Sequence, residues 1–376
     1  MNDKRSFDRR ALLSLGTVTI LAPMLRLFPS ASVEAAGRAA WLSAPAALPL
    51  TAAYIFFLSA LMDKREEGEN LQELSLRLLG KTGGRVFLIL TAAWLLLYAG
   101  FELRSGSDRL IVTVYPNSRS SAFSVVMSLL ALAAVLGSER TIVRSARIIM
   151  PVLLGIFLLT LFFALFSVRA DNLLPVTASD TLPVLLGSLA AADVVCVGLY
   201  SLCFFEGCVP KTPGRRKDFL IWLLGAMALL TLLDAAIIGC FGAEIVRILT
   251  RPFFVLVRNL VFFNSVERVE ALIVMLWIFP DFLQVSLLLH AAQYSLRLVL
   301  GKDARYISGR VFDMGEGRYM IWLCFAAVLA TAVLIVPDSV SMNLWSQRII
   351  PTINLCYAFV VLPLVYIIIC KKKSSA

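Results

Sequence analysis

Leu182–Cys208, LPVLLGSLAAADVVCVGLYSLCFFEGC, is long enough to cross a bilayer yet makes a poor uniform helix. Pro183 and Gly187 stand near its start, Asp193 interrupts the apolar run, and Gly198 lies near its middle. Lipid cannot satisfy backbone groups freed by an unwound turn, so such a segment must line protein or a water-filled cavity. The hydropathy pattern makes it the sixth of ten apolar segments, the one that opens the second half of the molecule. The first segment carries a similar weak point at Gly16-Thr17. Paired interruptions in corresponding positions of two halves point to a transporter-type binding site.

Outward from this stretch the rest of the chain has the same character. Of 376 residues, 59% are apolar and 16% charged, a balance that predicts an all-α integral membrane protein. The predicted spans are 11–28, 39–62, 86–103, 122–136, 148–168, 182–208, 219–241, 271–296, 319–336 and 349–370. They leave only short connections, so the chain is expected to be one transmembrane domain, with one half over about 11–168 and the other over about 182–370. With both termini on one side, all nine lysines and twenty-four of the cations fall on that side, against ten arginines opposite. That asymmetry predicts cytoplasmic termini, and it attributes the net charge of +10 to topology rather than to nucleic acid. The run after Met1–Arg10 is too long for a signal peptide and has no cleavage site. Seven cysteines, mostly within apolar segments, show neither disulfide nor zinc spacing.

Two connections carry more than a turn. Asn70–Leu79, NLQELSLRLL, is amphipathic and is expected to lie along the inner interface. On the other side Ile245–Asn264, IVRILTRPFFVLVRNLVFFN, is apolar and dotted with arginines. Pro252 breaks it, which predicts a short helix followed by a re-entrant or surface helix.

Several stretches, in order along nearly the whole chain, resemble one family. They are Gly37-Arg38-Ala39-Ala40-Trp41-Leu42-Ser43 at the start of the second span, Leu79-Gly80-Lys81 after the amphipathic segment, and GSERTIVRSAR over residues 137–147. Asn172-Leu173-Leu174-Pro175 then precedes Pro183; Glu267-Arg268-Val269-Glu270 comes before Trp277 and Phe282; Pro363 precedes Lys371-Lys372-Lys373. The set is similar to the B-subunit of spore germinant receptors, the spore-permease branch of the amino acid/polyamine/organocation transporter superfamily. The family often has Thr-Pro where this chain has Tyr115-Pro116, and a basic residue near the place of Gln284. The resemblance implies a LeuT-like fold of two inverted five-helix repeats, with helices one and six unwound at the midplane. It implies nutrient sensing in the inner membrane of dormant spores, in complex with an A-subunit and a lipoprotein C-subunit, and no enzymatic activity; an amino acid transporter of the same superfamily and a scaffold subunit with no ligand of its own are the rival readings.

The residues that could hold a ligand follow from both lines. Unwound backbone at Gly16, Thr17 and Gly198 would offer helix ends to the carboxylate and ammonium of an amino acid; close helix packing explains membrane glycines equally. On the sixth span Asp193, Cys196, Tyr200 and Cys203 share a face. On the third, Tyr98 and Glu102 share one, Tyr98 as a ligand-lining residue and Glu102 as a ligand contact or an ion-pair partner of Arg104 or Arg109. On the eighth, Glu270, Asp281 and Gln284 form the face assigned to the central cavity, while Ser286, His290 and Gln293 lie nearly opposite. His290 is a packing residue or a proton relay, and Glu267 and Glu270 flank Arg268 as a latch or a solvated helix start. The sequence holds no catalytic triad, metal-ligand cluster, phosphate loop or nucleic-acid motif, so neither cofactor nor metal is expected.

Overall fold

The computed structural model describes residues 7–113, 120–137, 139–211, 214–249, 251–259, 276–301, 319–334 and 339–374, and among them every regular element is helical. The helices are α1 (Arg9–Arg26), α2 (Phe28–Ala36), α3 (Ser43–Met62), α4 (Leu71–Thr113), α5 (Ser120–Leu136), α6 (Glu139–Leu165) and α7 (Thr181–Cys203). They continue with α8 (Arg215–Phe241), α9 (Ala243–Ile248), α10 (Pro252–Asn259), α11 (Ile278–Val299), α12 (Tyr319–Leu334) and α13, a helical rod over 339–374. Two π-turns, Trp345–Ile349 and Tyr357–Val361, interrupt the hydrogen-bond pattern of that last rod.

Among the described residues six helical stretches are long and apolar enough to cross a membrane: Phe28–Met62, Leu71–Ile111, Glu139–Leu165, Ala178–Cys203, Arg215–Phe241 and Ser341–Ile368. Ala122–Leu136 and Tyr319–Leu334 are shorter apolar helices. Helices α1 and α11, at the first and eighth predicted spans, fall outside that set and are buried along almost their whole length. A helix enclosed by other helices need not be uniformly apolar, and α11 indeed buries Asp281, Gln284, His290, Gln293 and Arg297. The outer ring is the reverse: Val152, Leu158, Phe162 and Leu165 of α6 and Val86, Ile89 and Leu90 of α4 are exposed apolar side chains for the lipid.

The centre forms where α11 packs along α4 and where α1 fits between α6, α7 and α11. On the other flank α7 packs against α2 and α3. Small residues allow the close approaches. A Cβ on Gly198 of α7 would stand 2.5 Å from Cγ2 of Ile20 on α1. One on Gly16 would meet Leu202 at 2.9 Å and Trp222 at 3.3 Å. The first helix is interrupted, but at Leu27 rather than at Gly16-Thr17. Glycine keeps its N–H and so stays in the helix, whereas Pro23 and Pro29 each remove a donor around the bend. Likewise α7 runs unbroken through Gly198 to Cys203, and the chain leaves the helix at Phe204-Phe205 before the short turn Glu206–Cys208.

The amphipathic segment is continuous with the third span. Residues 71–79 form a helix that turns at Gly80, whose φ of 82° and ψ of 175° lie outside the helical region. The segment after α8 divides into α9 and α10 with Pro252 opening the second, as its proline predicts. Residues 260–264, and with them Glu267, Arg268 and Glu270, lie outside the described residues.

Candidate ligand-binding site

Polar side chains from five helices converge beside the bend at Leu27. Arg26, the last residue of α1, donates two hydrogen bonds to Glu102 of α4, Nη1 to Oε2 at 2.6 Å and Nη2 to Oε1 at 2.5 Å. Both side chains are almost wholly buried, and the guanidinium also lies 5.0 Å from the centre of the Phe101 ring. A bidentate pair is the geometry in which a buried arginine and carboxylate best compensate each other's lost hydration. The expected partners of Glu102 were Arg104 or Arg109. Instead Arg104 pairs with Asp108 one helical turn on, and Arg109 pairs with Asp281 of α11. The reason is direction: Glu102 lies on the face of α4 that meets α1, while Arg109, two turns further, reaches α11.

Tyr98, one turn before Glu102, stacks on Trp94 with ring centres 5.7 Å apart and planes 9° from parallel. Its hydroxyl accepts a hydrogen bond from Nε2 of Gln284 at 3.1 Å. Gln284 and Asp281 therefore share the face of α11 turned to the central cluster. Tyr200 of α7 donates to Oδ1 of Asn354 on α13 at 3.1 Å and packs against Tyr357, ring centres 5.0 Å apart. Asp193 is buried two turns away on α7, with the Asn354 amide and the Arg26 guanidinium among the groups that act on it. Asn354 occupies the short α-helical stretch between the two π-turns of α13.

Not every polar atom in this cluster is satisfied within the protein. Arg26 Nε, Asp193 Oδ1 and Gln284 Oε1 are buried without a protein hydrogen-bond partner, while the Asn354 amide acts on Asp193 and the Trp94 indole on the Tyr200 hydroxyl. Each such group is costly to leave unmade, so a set of them marks where a polar ligand would be favoured. The set contains both donors and acceptors, which suits a zwitterion. A cavity of about 40 Å³ reaches Arg26 past Leu27, Ser30, Ser105 and Arg251, with Ser346 and Gln347 of the first π-turn on its wall. Burial pulls the Arg251 guanidinium down to about 10, against the opposing attraction of Asp108. That volume is near one water's share of the liquid, ~30 Å³. Of the cluster this cavity touches Arg26 alone, and it is too small for an amino acid, which would need the helices around it to move.

The remaining sequence candidates lie further out. Gly16 and Gly198 are packing positions between α1 and α7. Thr17 donates to the Leu13 carbonyl at 3.0 Å and accepts from Trp222 Nε1 at 3.0 Å, tying α1 to α8. Cys196 is buried on the side of α7 near Tyr54 of α3. His290 faces Glu139 at 3.4 Å with the Phe205 ring 5.3 Å away, far along α11 from Asp281 and Gln284. Sequence reasoning missed Arg26, Trp94 and Asn354. Arg26 had a signal, a cation at the end of an apolar segment with acids on neighbouring spans. Asn354 had little, because the π-turns that set its direction leave no mark in the hydropathy pattern.

Residues 10–340 match the spore permease family, described as spore germination proteins. A curated relative in Bacillus subtilis (strain 168), named "Putative spore germination protein YfkT", is 24% identical over 362 residues, covering 96% of this chain and 95% of the relative. Among solved structures the chain is similar to Mhp1, a nucleobase-cation-symport-1 family transporter in a closed conformation with bromovinylhydantoin bound. The TM-score is 0.59 at 15% identity, over 98% of this chain and 80% of that one. It is also similar to MhsT in complex with L-phenylalanine, with a TM-score of 0.62 at 14% identity over 98% and 89% of the two chains. These likenesses show the LeuT-like fold, and with the apolar helices they make the protein a multi-pass integral membrane protein. A chain matched by that family's model over residues 10–340, with its first helix broken at Leu27 beside a buried polar centre, is a member of the spore permease family of spore germination proteins.

Proposed function

We propose that this chain is the nutrient-sensing B-subunit of a spore germinant receptor. It binds a small amino-acid-like ligand between α1, α4, α7, α11 and α13 and passes the resulting change to an A-subunit and a lipoprotein C-subunit. The observation that supports this most is the closed cluster with unpaired donors and acceptors beside the Arg26–Glu102 pair. A ligand carboxylate is suited to the Arg26 Nε side, and an ammonium to Asp193 Oδ1 and Gln284 Oε1. Closure has a consequence for signalling. A site with room for about one water cannot take an amino acid without moving the α1–α2 bend or the π-turn segment, and the differential affinity of those two states is what a sensor needs.

A second reading is an amino acid permease of the same fold, favoured by the two solved transporters that the whole chain resembles. Reconstitution of the purified chain alone in liposomes with radiolabelled amino acids separates them. Little or no uptake, together with ligand-dependent germination that requires the A- and C-subunits, is the outcome expected of the sensor. Robust saturable uptake without partners assigns the chain to transport instead.

A further inference from the structure

At the end of the molecule that carries the lysines, a separate cavity of about 170 Å³ opens between the start of α1, the turn after α3, the segment following α7, and the start of α8. Its walls include Arg9, Arg65, Lys211 and Arg215 against two acids, Asp63 and Glu206. Part of that charge is spoken for. Arg9 donates to Asp218 at 2.5 Å, and Arg215 bridges Glu206 and Asp63, each at 2.9 Å. Asp63 is further shared with Arg216 at 2.9 Å. Lys211 Nζ donates to the carbonyl of Arg65. Arg65 is different: it is only 3% exposed, its Nη2 donates to the Val209 carbonyl at 3.0 Å, and its Nε and Nη1 have no protein partner. No carboxylate forms an ion pair with it among the described residues.

We propose that this cavity is an anion site whose ligand is a phosphate group, held by Arg65 with Lys211, Arg9 and Arg215 around it. Nε and Nη1 stand on either side of Nη2, so the edge that Val209 leaves open pairs one of them with the second Nη2 proton, in the planar fork that takes two phosphate oxygens at once. Burial lowers the Arg65 guanidinium from its ordinary value, with Arg215 adding to the effect and Glu206 opposing it. A bound anion would offset that loss of hydration and the excess of cations over acids on the walls. The volume exceeds by several-fold the ~30 Å³ share of one water, so a tetrahedral anion is accommodated. The phosphate is either that of an anionic lipid headgroup or a soluble phosphate. The inference stands on Arg65 and its cavity and is independent of the nutrient reading, because it concerns the opposite end of α1 and α7 from the Arg26 cluster.

The test uses the full-length protein in a neutral detergent, with thermal unfolding followed in inorganic phosphate against chloride at matched ionic strength. In parallel, retention of phosphatidylglycerol against phosphatidylcholine is read by native mass spectrometry. A saturable rise in unfolding temperature with phosphate, weakened about tenfold or more in midpoint by Arg65→Gln, supports a soluble ligand. Selective retention of phosphatidylglycerol, lost in Arg65→Gln, supports a lipid phosphate. Where Arg65→Gln fails to fold, Arg65→Lys, which keeps the charge but not the fork, and Lys211→Gln must each weaken the response. Absence of both responses in the unmodified protein overturns the proposal. So does a variant that lowers the unfolding temperature while leaving the phosphate or lipid increment unchanged, since Arg65 would then be acting only as a brace for the Val209 carbonyl.

Discussion

At the scale of single residues, the Arg26–Glu102 pair is the interaction on which the centre depends. Its two hydrogen bonds join the bend of the first helix to the middle of α4, both charges removed from water. Removing one member strands the other, at a cost of ~3–5 kcal/mol for a buried pair. Glu102→Gln is therefore expected to lower the unfolding temperature sharply. The double variant Arg26→Gln with Glu102→Gln should recover part of that loss while abolishing the nutrient response. A double-mutant cycle on the purified protein measures the first effect and germination assays the second; additive losses of stability would show that the pair is not coupled. Gly198 makes a different statement. Its missing Cβ is the space Ile20 occupies, so Gly198→Leu forces α1 and α7 apart at a cost of ~1–3 kcal/mol. Lower protein stability together with a raised nutrient requirement is expected, and full stability with an altered dose–response would place Gly198 in direct ligand contact instead.

Among elements, α4 shows how one glycine converts an interfacial helix into a spanning one. Tyr294 donates to Glu73 at 2.9 Å and Arg77 pairs with Glu69 at 2.7 Å, fixing residues 71–79 against the inner end of α11 and the preceding turn. The chain then redirects at Gly80, in a region of backbone space that a side chain enters at a cost of ~1–3 kcal/mol. Gly80→Ala should destabilise the protein by that amount. Gly83→Ala, three residues on in regular helix with its Cβ in ordinary contact with Leu79, should be neutral or stabilising. Thermal unfolding of the two variants side by side checks the contrast. The end of α7 has an analogous constraint: Gly207 donates its N–H to Asn70 at 2.7 Å, and a Cβ there would meet the Gly68 carbonyl at 2.8 Å. The turn after α7 and the turn before α4 are thus fastened to each other by a backbone-to-side-chain hydrogen bond and by an approach that leaves no room for a Cβ at Gly207.

For the whole molecule, the lysine-bearing end is closed by ion pairs linking α1, α3, α7 and α8, and the other end by the bend at Leu27 and the π-turns of α13. Alternating which end is closed is the physical basis of transport, whereas shifting the balance of two states by ligand is enough for sensing. Either use requires a defined orientation. The distribution of cations predicts that the termini and the 211–217 loop share the cytoplasmic side. Single cysteines introduced at position 214 and near the C-terminus should be labelled only after permeabilisation. Labelling of the C-terminus from outside would exclude the arrangement with both ends inside.

The sequence by itself determined the class of the protein. Apolar length predicted a helical membrane protein, Pro252 marked a true break, and helical periodicity put Tyr98 with Glu102 and Asp281 with Gln284 on faces that the structure turns to the centre. Such features are local, because each depends on residues within a turn or two. Only the tertiary structure decided that the first helix breaks at Leu27, that the sixth span runs unbroken to Cys203, and which ion pairs form. Gly16 and Gly198 have the composition of weak points, yet the packing of Ile20, Leu202 and Trp222 into the space they leave keeps both helices intact there. Glu102 had arginines nearer in sequence, but only Arg26 was brought to it by the packing of α1 against the centre. Asn354 entered the cluster through two π-turns, a change in helical phase that depends on hydrogen bonds and contacts along the whole rod. Interactions between helices distant in sequence carry no period of their own, and so they become legible only when the helices are seen together.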